Sequence, residues 1–186
     1  MPRFQMTDDL MTGIKAIDDQ HRRLFDCANA VFAIRDENAE ERVVLDTVRS
    51  VIAYTIYHFR AEEFAMVEQA FPDQKRHLDQ HKALLARVAT LRRLVEDVAP
   101  ITAVLSGLQM LLDEWVRYHI KLSDKAFARY VATTSTGRRP KLPSPAAMHK
   151  AGLLSDLDYR TVRVVHAGAS RPLTSIELQN RLMRGR

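Results

Sequence analysis

The chain has 186 residues, of which 46% are hydrophobic and 27% are charged, as in globular proteins. We expect no secretory signal and no membrane span, because the N-terminus lacks an apolar core and no run of about 18 uncharged apolar residues occurs. The single cysteine excludes an internal disulfide and favours a cytoplasmic location. The net charge of +5 is uneven: ten basic and three acidic residues follow position 134, so +7 lies there and −2 elsewhere.

Four segments carry apolar residues at the three-and-four spacing of helices with one buried face. Asp18 is a potential N-cap of the first, Pro72 must follow the end of the second, and Pro100 separates the last two. Short connections between long helices favour an antiparallel up-down arrangement. We therefore predict an all-α four-helix bundle with an N-terminal arm. The expected helices span about 18–35, 40–69, 73–98 and 100–130.

Helical periodicity fades near Thr133, and a segment rich in Ser, Thr, Gly, Pro and Arg follows. This composition is typical of a linker. The predicted domains are therefore a bundle over residues 1–133 and a basic linker with a C-terminal extension over residues 134–186.

The extension contains three local signals of order. Ser144 followed by Pro145 predicts a short helix that ends at Gly152. The β-branched run over 161–165 predicts a strand. Thr174 and Glu177 have the spacing of a capping box ahead of a further helix. A partner-binding surface and a solvated extension both remain open for this region.

Seven ionisable side chains in the four helices have the spacings expected of metal ligands. A lone helical histidine is usually an ordinary residue, but here every helix contributes and each position lies beside an apolar stripe. Unpaired burial of five imidazoles and two carboxylates would be costly, and a bound metal removes that cost. The seven residues are His21, His58, Glu62, His77, His81, His119 and Asp124.

This ligand chemistry restricts the metal. Imidazole and carboxylate without thiolate suit iron or manganese better than structural zinc. Seven ligands suit two ions if both carboxylates bridge, with three histidines on one metal and two on the other. A bridging oxide or hydroxide would then leave the two-histidine metal one ligand short. The Glu-x-x-His pairs of ferritin-like sites are absent from the sequence, which favours O2 binding over O2 activation.

Specific motifs connect these positions to a known family. Residues 4–132 resemble the hemerythrins, in particular their bacterial branch. The resemblance implies reversible O2 binding at an oxo- or hydroxo-bridged pair of iron ions. The matching pieces are Thr12-Gly13-Ile14, Ile17-Asp18-x-Gln20-His21-x-x-Leu24, His58-Phe59-x-x-Glu62-Glu63-x-x-Met66, His77-x-x-x-His81 and Trp115-x-x-x-His119-Ile120-x-x-x-Asp124.

The same resemblance assigns a role to each site residue. His77, His81 and His119 would ligate the coordinatively filled iron, and His21 and His58 the open one. Glu62 and Asp124 would bridge the two ions. An apolar O2 pocket over the open iron would be lined by Leu24, Phe59, Trp115, Val116 and Ile120.

One spacing does not fit a regular helix. The five-residue step from His119 to Asp124 turns by about 140°, so the two side chains would not share a face. We expect either a local irregularity or the reach of the aspartate side chain to bring them together.

Residues near the ligands receive ordinary roles. For Asp18, Gln20 and Glu63, a capping or solvated role is favoured over support of the ligands. Cys27 is expected to be a buried structural thiol. His149 and His166 lie outside the helical ligand pattern and are treated as ordinary residues.

Three functions remain open. The first is an O2 carrier or store, and the second is an O2 or redox sensor that acts through the C-terminal extension on a protein partner. The third, an enzyme that consumes peroxide or nitric oxide, is ranked last because no proton-relay carboxylate is evident. Nucleic acid is a poor candidate partner because no recognisable binding motif accompanies the basic residues.

Overall fold

The computed structural model describes residues 3–36, 40–134 and 140–166, and these residues form helices and connecting segments without a strand. No helix within these ranges is long and apolar enough to cross a membrane. The helices are α1 (Lys15–Asp36), α2 (Glu41–Glu68), α3 (Gln74–Glu96), α4 (Ile101–Glu114), a π-helical segment (Trp115–Asp124), α5 (Lys125–Thr134), α6 (Pro145–Lys150) and α7 (Asp156–His166), after a 3-10 turn at Asp8–Leu10.

Helix α1 begins at Lys15, three residues before the expected N-cap. Asp18 lies in the first turn, and its carboxylate accepts hydrogen bonds from the backbone N–H groups of Thr12 (2.8 Å) and Gly13 (3.0 Å). Gly13 has a φ of 80°, a left-handed conformation that glycine adopts without strain. The N-cap position was therefore wrong, although Asp18 does bind the segment that leads into the helix.

Helices α2 and α3 end where the prolines predict. Ala70 and Val98, just beyond the two helices, have φ values of 50° and 51°. The next N–H groups, of Phe71 and Ala99, bond back to carbonyls five residues earlier, at 3.0 and 2.9 Å. This left-handed termination satisfies carbonyl groups that would otherwise lack partners at the helix ends.

The fourth helix departs from the expected regular α-helix. Between α4 and α5 the chain forms ten residues of π-helix from Trp115 to Asp124. Its hydrogen bonds join residues five apart, as at its end, where the Lys125 N–H bonds to the Ile120 carbonyl. The irregularity lies in the segment that carries His119.

Consecutive long helices contact one another: α1 with α2, α2 with α3, and α3 with α4. Their apolar stripes meet in a core that includes Val31, Val44, Val48, Leu91 and Leu108, each at most 1% exposed. A smaller cluster around Ile17, Met66 and Phe127 closes the end near α5. Burial of this apolar area stabilises the fold.

The described part of the extension packs on the same core. Helix α6 is confirmed, with the Ser144 hydroxyl accepting from the Ala147 N–H at 3.2 Å. Both α6 and α7 contact α2. Apolar side chains of the extension are buried in this contact, and they are Met148, Leu154, Val162 and Val165.

The predicted strand over 161–165 was wrong, because these residues lie in helix α7. Val162 and Val165 are three residues apart, so in a helix both lie on the face that packs against α2. Their burial stabilises the helix despite the β-branched composition. Ser155 also accepts a hydrogen bond from the Asp158 N–H at 3.1 Å, an N-cap signal that the sequence contains. The predicted capping box at Thr174 and Glu177 lies outside the described residues.

Candidate metal centre

The seven predicted ligand side chains meet inside the protein. They come from α1, α2, α3 and the π-helical segment, and each is at most 2% exposed. Their nitrogen and oxygen atoms form two groups, within each of which the atoms lie within 4.8 Å of one another. The three-histidine group contains Glu62, His77, His81 and His119, and the two-histidine group contains His21, His58 and Asp124.

In the three-histidine group the imidazoles point their Nε2 atoms at one centre. His119 Nε2 lies 3.3 Å from His77 Nε2 and 3.0 Å from His81 Nε2. Glu62 Oε2 lies 3.5, 3.3 and 3.7 Å from the Nε2 atoms of His77, His81 and His119. Three nitrogen lone pairs and one carboxylate oxygen therefore converge on a point that a cation can occupy.

Both carboxylates span the two groups. Asp124 Oδ2 lies 3.2 Å from His21 Nε2, whereas its Oδ1 lies 3.3 Å from His77 Nε2 and 3.0 Å from His119 Nε2. Glu62 Oε2 lies 3.9 Å from His58 Nε2 in addition to its contacts with the other group. Each carboxylate thus lies against imidazoles of both groups.

The π-helical segment explains how His119 and Asp124 come together. In a regular α-helix they would be about 140° apart. Because π-helical hydrogen bonds join residues five apart, the fifth residue returns close to the same face. His119 and Asp124 accordingly both point into the cluster, 3.0 Å apart. Of the two expected explanations, the backbone irregularity is the one that the structure contains.

The polar atoms of the cluster fit a metal better than they fit one another. Within the described residues, both Glu62 oxygens, both Asp124 oxygens, His58 Nε2 and both ring nitrogens of His21 are buried without a hydrogen bond. Buried polar atoms are normally paired, because an unpaired one costs about 1–3 kcal/mol. A cation in each group would satisfy the carboxylate oxygens and the Nε2 atoms of His21 and His58, so these residues fit a metal.

Without a metal, the cluster shifts the pKa values of its members in opposite directions. Burial lowers the pKa of His58 to about 3. Burial also acts on His77, but the close carboxylates of Asp124 and Glu62 outweigh it and raise the pKa of His77 to about 10. The pKa values of Glu62 and Asp124 lie well below their usual range, because contacts with the imidazoles outweigh the effect of burial.

Polar side chains hold three of the imidazoles from behind. Gln20 Oε1 lies 2.9 Å from His58 Nδ1, and Glu63 Oε1 lies 3.0 Å from His81 Nδ1. The solvated or capping role favoured for these two was therefore wrong. Such partners orient a ligating histidine with Nε2 free.

A third supporting residue, Gln80, was missed. Its Oε1 lies 3.3 Å from His119 Nδ1 and accepts a hydrogen bond from the Ser123 hydroxyl. Its position one residue before His81 could have indicated a supporting role, because the residue next to a ligand on one helix can face a ligand on an adjacent helix.

Comparison with known proteins agrees with this geometry. Residues 12–131, which contain all seven residues, match the family described as hemerythrin HHE cation binding domain. The chain belongs to the hemerythrin family. It is 32% identical over 124 residues to a bacteriohemerythrin of Stenotrophomonas maltophilia, covering 67% of this chain and 78% of that protein. It is 28% identical over 127 residues to a bacteriohemerythrin of Pseudomonas aeruginosa, covering 68% and 80%.

A more distant relative is a hemerythrin-like protein of Naegleria gruberi, 24% identical over 124 residues, covering 67% of this chain and 90% of that protein. No solved structure matches this hemerythrin. All three matches leave about a third of the chain uncovered. The family match ends at residue 131, so the features of residues 140–166 lie outside it.

The residues predicted to line the O2 pocket of this hemerythrin are buried around the cluster, except half-buried Val116. The Trp115 ring lies 5.2 Å from the His21 ring and 5.8 Å from the His58 ring. Phe59 instead stacks on His81, with ring centroids 4.3 Å apart at 19°. Trp115 therefore adjoins the two-histidine group, whereas Phe59 lies mainly against the three-histidine group. Leu24 and Ile120 are buried in the surrounding core.

The other predicted ordinary residues have structural contacts. Burial raises the pKa of the Cys27 thiol to about 12, as expected of a structural thiol. His149 pairs with Asp156 at 2.7 Å on the surface. His166 is different, because its ring lies 5.6 Å from Tyr57 and its Nδ1 lies 3.4 Å from the Tyr54 hydroxyl. His166 therefore belongs to the contact between α7 and α2.

Proposed function

We propose that this hemerythrin reversibly binds O2 at a di-iron centre. The observation that carries the proposal is the pair of ligand groups, three-histidine and two-histidine, with each carboxylate in contact with both. When bound, the two iron ions supply the two electrons that reversible O2 binding requires. The unequal number of histidines leaves more room for a small ligand at the two-histidine group.

In the proposed site each protein group has a separate task. His77, His81 and His119 hold one ion, His21 and His58 hold the other, and Glu62 and Asp124 bridge them. The hydrogen bonds made by Gln20, Glu63 and Gln80 keep the ring protons on Nδ1 and leave Nε2 for the metal. These assignments are supported by distance, burial and the unpaired polar atoms of the cluster.

The surroundings favour binding over chemical conversion. Trp115 covers the two-histidine group, and Leu24 and Ile120 are at most 1% exposed beside it. An apolar surrounding excludes the water and anions that would displace a bound ligand. Within the described residues, Asp18 and Glu63, the acidic neighbours of the site, are engaged with Thr12 and His81. We therefore propose a binding protein and not an enzyme.

The fold proposed to hold the site is an antiparallel up-down four-helix bundle. Consecutive helices contact one another, and the turn between α2 and α3 is short. Short turns place neighbouring helices antiparallel. We retain residues 1–133 as the iron-binding domain and residues 134–186 as an extension, although α6 and α7 pack on α2.

A sensor function is the second candidate, and one observation favours it. Arg23, two residues after His21, donates hydrogen bonds to the carbonyls of Val165 (3.2 Å) and His166 (2.7 Å) at the end of α7. The extension is thus joined to the helix that carries a proposed ligand. This contact would allow the iron site and a protein partner of the extension to influence each other.

Two histidine substitutions test the proposed function. His58→Ala should abolish O2 binding, because it removes one of two imidazoles from the proposed open ion. His149→Ala should leave O2 binding unchanged, because His149 contacts Asp156 on the surface. Absorption spectra of the reduced proteins before and after exposure to O2 provide the measurement. Equal behaviour of the two variants would contradict the proposed ligand set.

A further inference from the structure

The extension is connected to the metal cluster by a continuous chain of hydrogen bonds. The Tyr57 hydroxyl donates to the Pro143 carbonyl at 3.0 Å, at the start of the extension. Gln20 Nε2 donates to the Tyr57 oxygen at 3.3 Å, and Gln20 Oε1 accepts from His58 Nδ1 at 2.9 Å. Tyr57, Gln20 and His58 are at most 4% exposed, so no bulk water competes for these bonds.

The donors and acceptors in this series of hydrogen bonds have a fixed order. Because the tyrosine proton is directed to Pro143, the Tyr57 oxygen is left to accept from the amide nitrogen of Gln20. The amide oxygen then faces His58 and requires a proton on Nδ1, which leaves Nε2 unprotonated for a metal. An amide turned by about 180° would present its NH2 group to Nδ1 and favour the tautomer that cannot bind a metal through Nε2.

The Pro143 carbonyl is held in place by the docking of α6 and α7. Asp158, near the start of α7, accepts a hydrogen bond from Arg92 of α3 at 2.8 Å. Arg23 of α1 binds the last carbonyls of α7, where a cation also complements the helix dipole. Between these contacts, Val162 and Val165 are buried against α2.

We propose that Tyr57 is a positioning residue that transmits the docking of the extension to His58, through Gln20, and so controls the two-histidine metal position. This proposal rests on the proposed di-iron function. It goes beyond that function because it assigns a role to the extension, which lies outside the family match over residues 12–131. Undocking of α7 would loosen the Pro143 carbonyl, release the orientation of Gln20 and weaken metal binding at the two-histidine group only.

The test uses full-length, iron-loaded protein and measures iron release to an excess of chelator, followed by the decay of the charge-transfer absorption. Tyr57→Phe should accelerate one of two release phases by about three- to tenfold, the equivalent of one neutral hydrogen bond. Tyr54→Phe is the matched control, because Tyr54 is also a buried tyrosine of α2 but contacts His166 instead of Gln20. That contact is long, at 3.4 Å, and α7 should stay docked without it through Arg23 and Arg92. Its release phases should equal those of the unmodified protein.

Melting temperatures separate positioning from general destabilisation. Both tyrosine variants remove a buried hydroxyl, so their melting temperatures should fall by similar amounts, whereas only Tyr57→Phe should change iron release. Equal release from Tyr57→Phe and the unmodified protein would overturn the proposal. Equal acceleration of both phases, or the same acceleration in Tyr54→Phe, would also overturn it.

A second variant weakens the docking of α7 instead of removing the Tyr57 hydroxyl. It therefore tests the proposal even if Tyr57→Phe fails to fold. Asp158→Lys replaces the ion pair with Arg92 by repulsion and should accelerate the same single phase. The double variant should release iron no faster than the faster single variant, because both changes interrupt the same series of hydrogen bonds. Unchanged release in Asp158→Lys would contradict the proposal. If the unmodified protein holds no second iron, the proposed function fails instead.

Discussion

The two ligand groups of this hemerythrin are built from similar residues but have different surroundings. In the three-histidine group, His81 and His119 are each held by a polar side chain, and Phe59 stacks on His81. In the two-histidine group, Gln20 holds His58, and among the described residues nothing bonds to His21 Nδ1. The three-histidine metal position is therefore constrained on several sides, whereas the two-histidine position depends on the contact between Gln20 and His58.

The largest effect is expected from the carboxylate that joins the groups. Asp124→Asn removes the charge shared by both groups, so iron content should fall below one ion per chain. His21→Ala should leave about one iron ion in place of about two, because it affects only the two-histidine group. Iron quantification after gel filtration measures both. If Asp124→Asn keeps as much iron as His21→Ala, the aspartate does not join the groups.

The metal-free protein should show the difference between the groups as a pH dependence. The pKa of His77 is raised from 6.5 to about 10, so its contribution to stability is complete below pH 6.5 and is lost as the pH rises towards 10. The pKa of His58 is lowered from 6.5 to about 3, so its contribution is present above pH 6.5 and is lost as the pH falls. Stability should therefore be greatest near pH 6.5 and should decrease on both sides, by up to about 1.4 kcal/mol per pH unit for each imidazole that titrates. On the alkaline side His119, whose pKa is also raised, adds to the effect of His77.

Denaturant unfolding of the metal-free protein between pH 5 and 9 measures this profile. The iron-loaded protein is the control, because metal in place of the protons should remove the alkaline decrease. A flat free energy of unfolding from pH 6.5 to 9 in the metal-free protein would contradict the assignment of opposite shifts to the two groups.

A smaller effect is expected from the polar support of the three-histidine group. Gln80→Leu removes the acceptor for His119 Nδ1 and should weaken one iron site by about tenfold, a typical loss for such partners. Gln80→Glu keeps an acceptor and should restore the affinity. Competition with a chelator measures both variants. A glutamate variant as weak as the leucine variant would show that packing, and not the hydrogen bond, matters at this position.

The smallest effect is expected at the edge of the two-histidine group. Val116 and Phe25 line a cavity of about 240 Å³ beneath the N-terminal arm, and the Phe25 ring lies 5.5 Å from Trp115. Val116→Leu adds one methylene group and should slow autoxidation of the O2-bound protein by about threefold, because less water reaches the site. The decay of the oxy spectrum measures it, with Met110→Leu, at an exposed position, as the control. Faster decay would show that a larger side chain at this position does not restrict the access of water to the site.

The sequence predicted the helices because they follow from local spacing, whereas the grouping of the ligands was implied by the resemblance to the hemerythrins. Every prolonged apolar stripe became a helix within about four residues of the expected bounds, and the His58/Glu62 and His77/His81 spacings placed each pair on one face. The π-helical segment was not predictable, because ten residues of this conformation depend on the cluster that they complete. The five-residue spacing of His119 and Asp124 indicated only that either the helix was irregular there or the aspartate side chain reached back to the site.

Long-range contacts account for the remaining differences. Helix α7 was mistaken for a strand because its valines are β-branched. The helical conformation is stabilised by burial of these valines against α2, a contact that local sequence does not reveal. Gln20 and Glu63 were assigned ordinary roles because nothing in one helix reveals which imidazole of another helix it faces. The connection of Tyr57 to Pro143 joins residues 86 positions apart and was likewise beyond local patterns.

The central claim is that one chain holds two iron ions that bind O2 reversibly. The most direct measurement is the iron content of the purified protein together with its ultraviolet-visible spectrum, recorded on the reduced protein before and after O2 is added and after O2 is removed. We expect about two iron ions per chain, with charge-transfer bands that appear with O2 and disappear on its removal. One iron ion or fewer, or a spectrum that does not respond to O2, would contradict the claim.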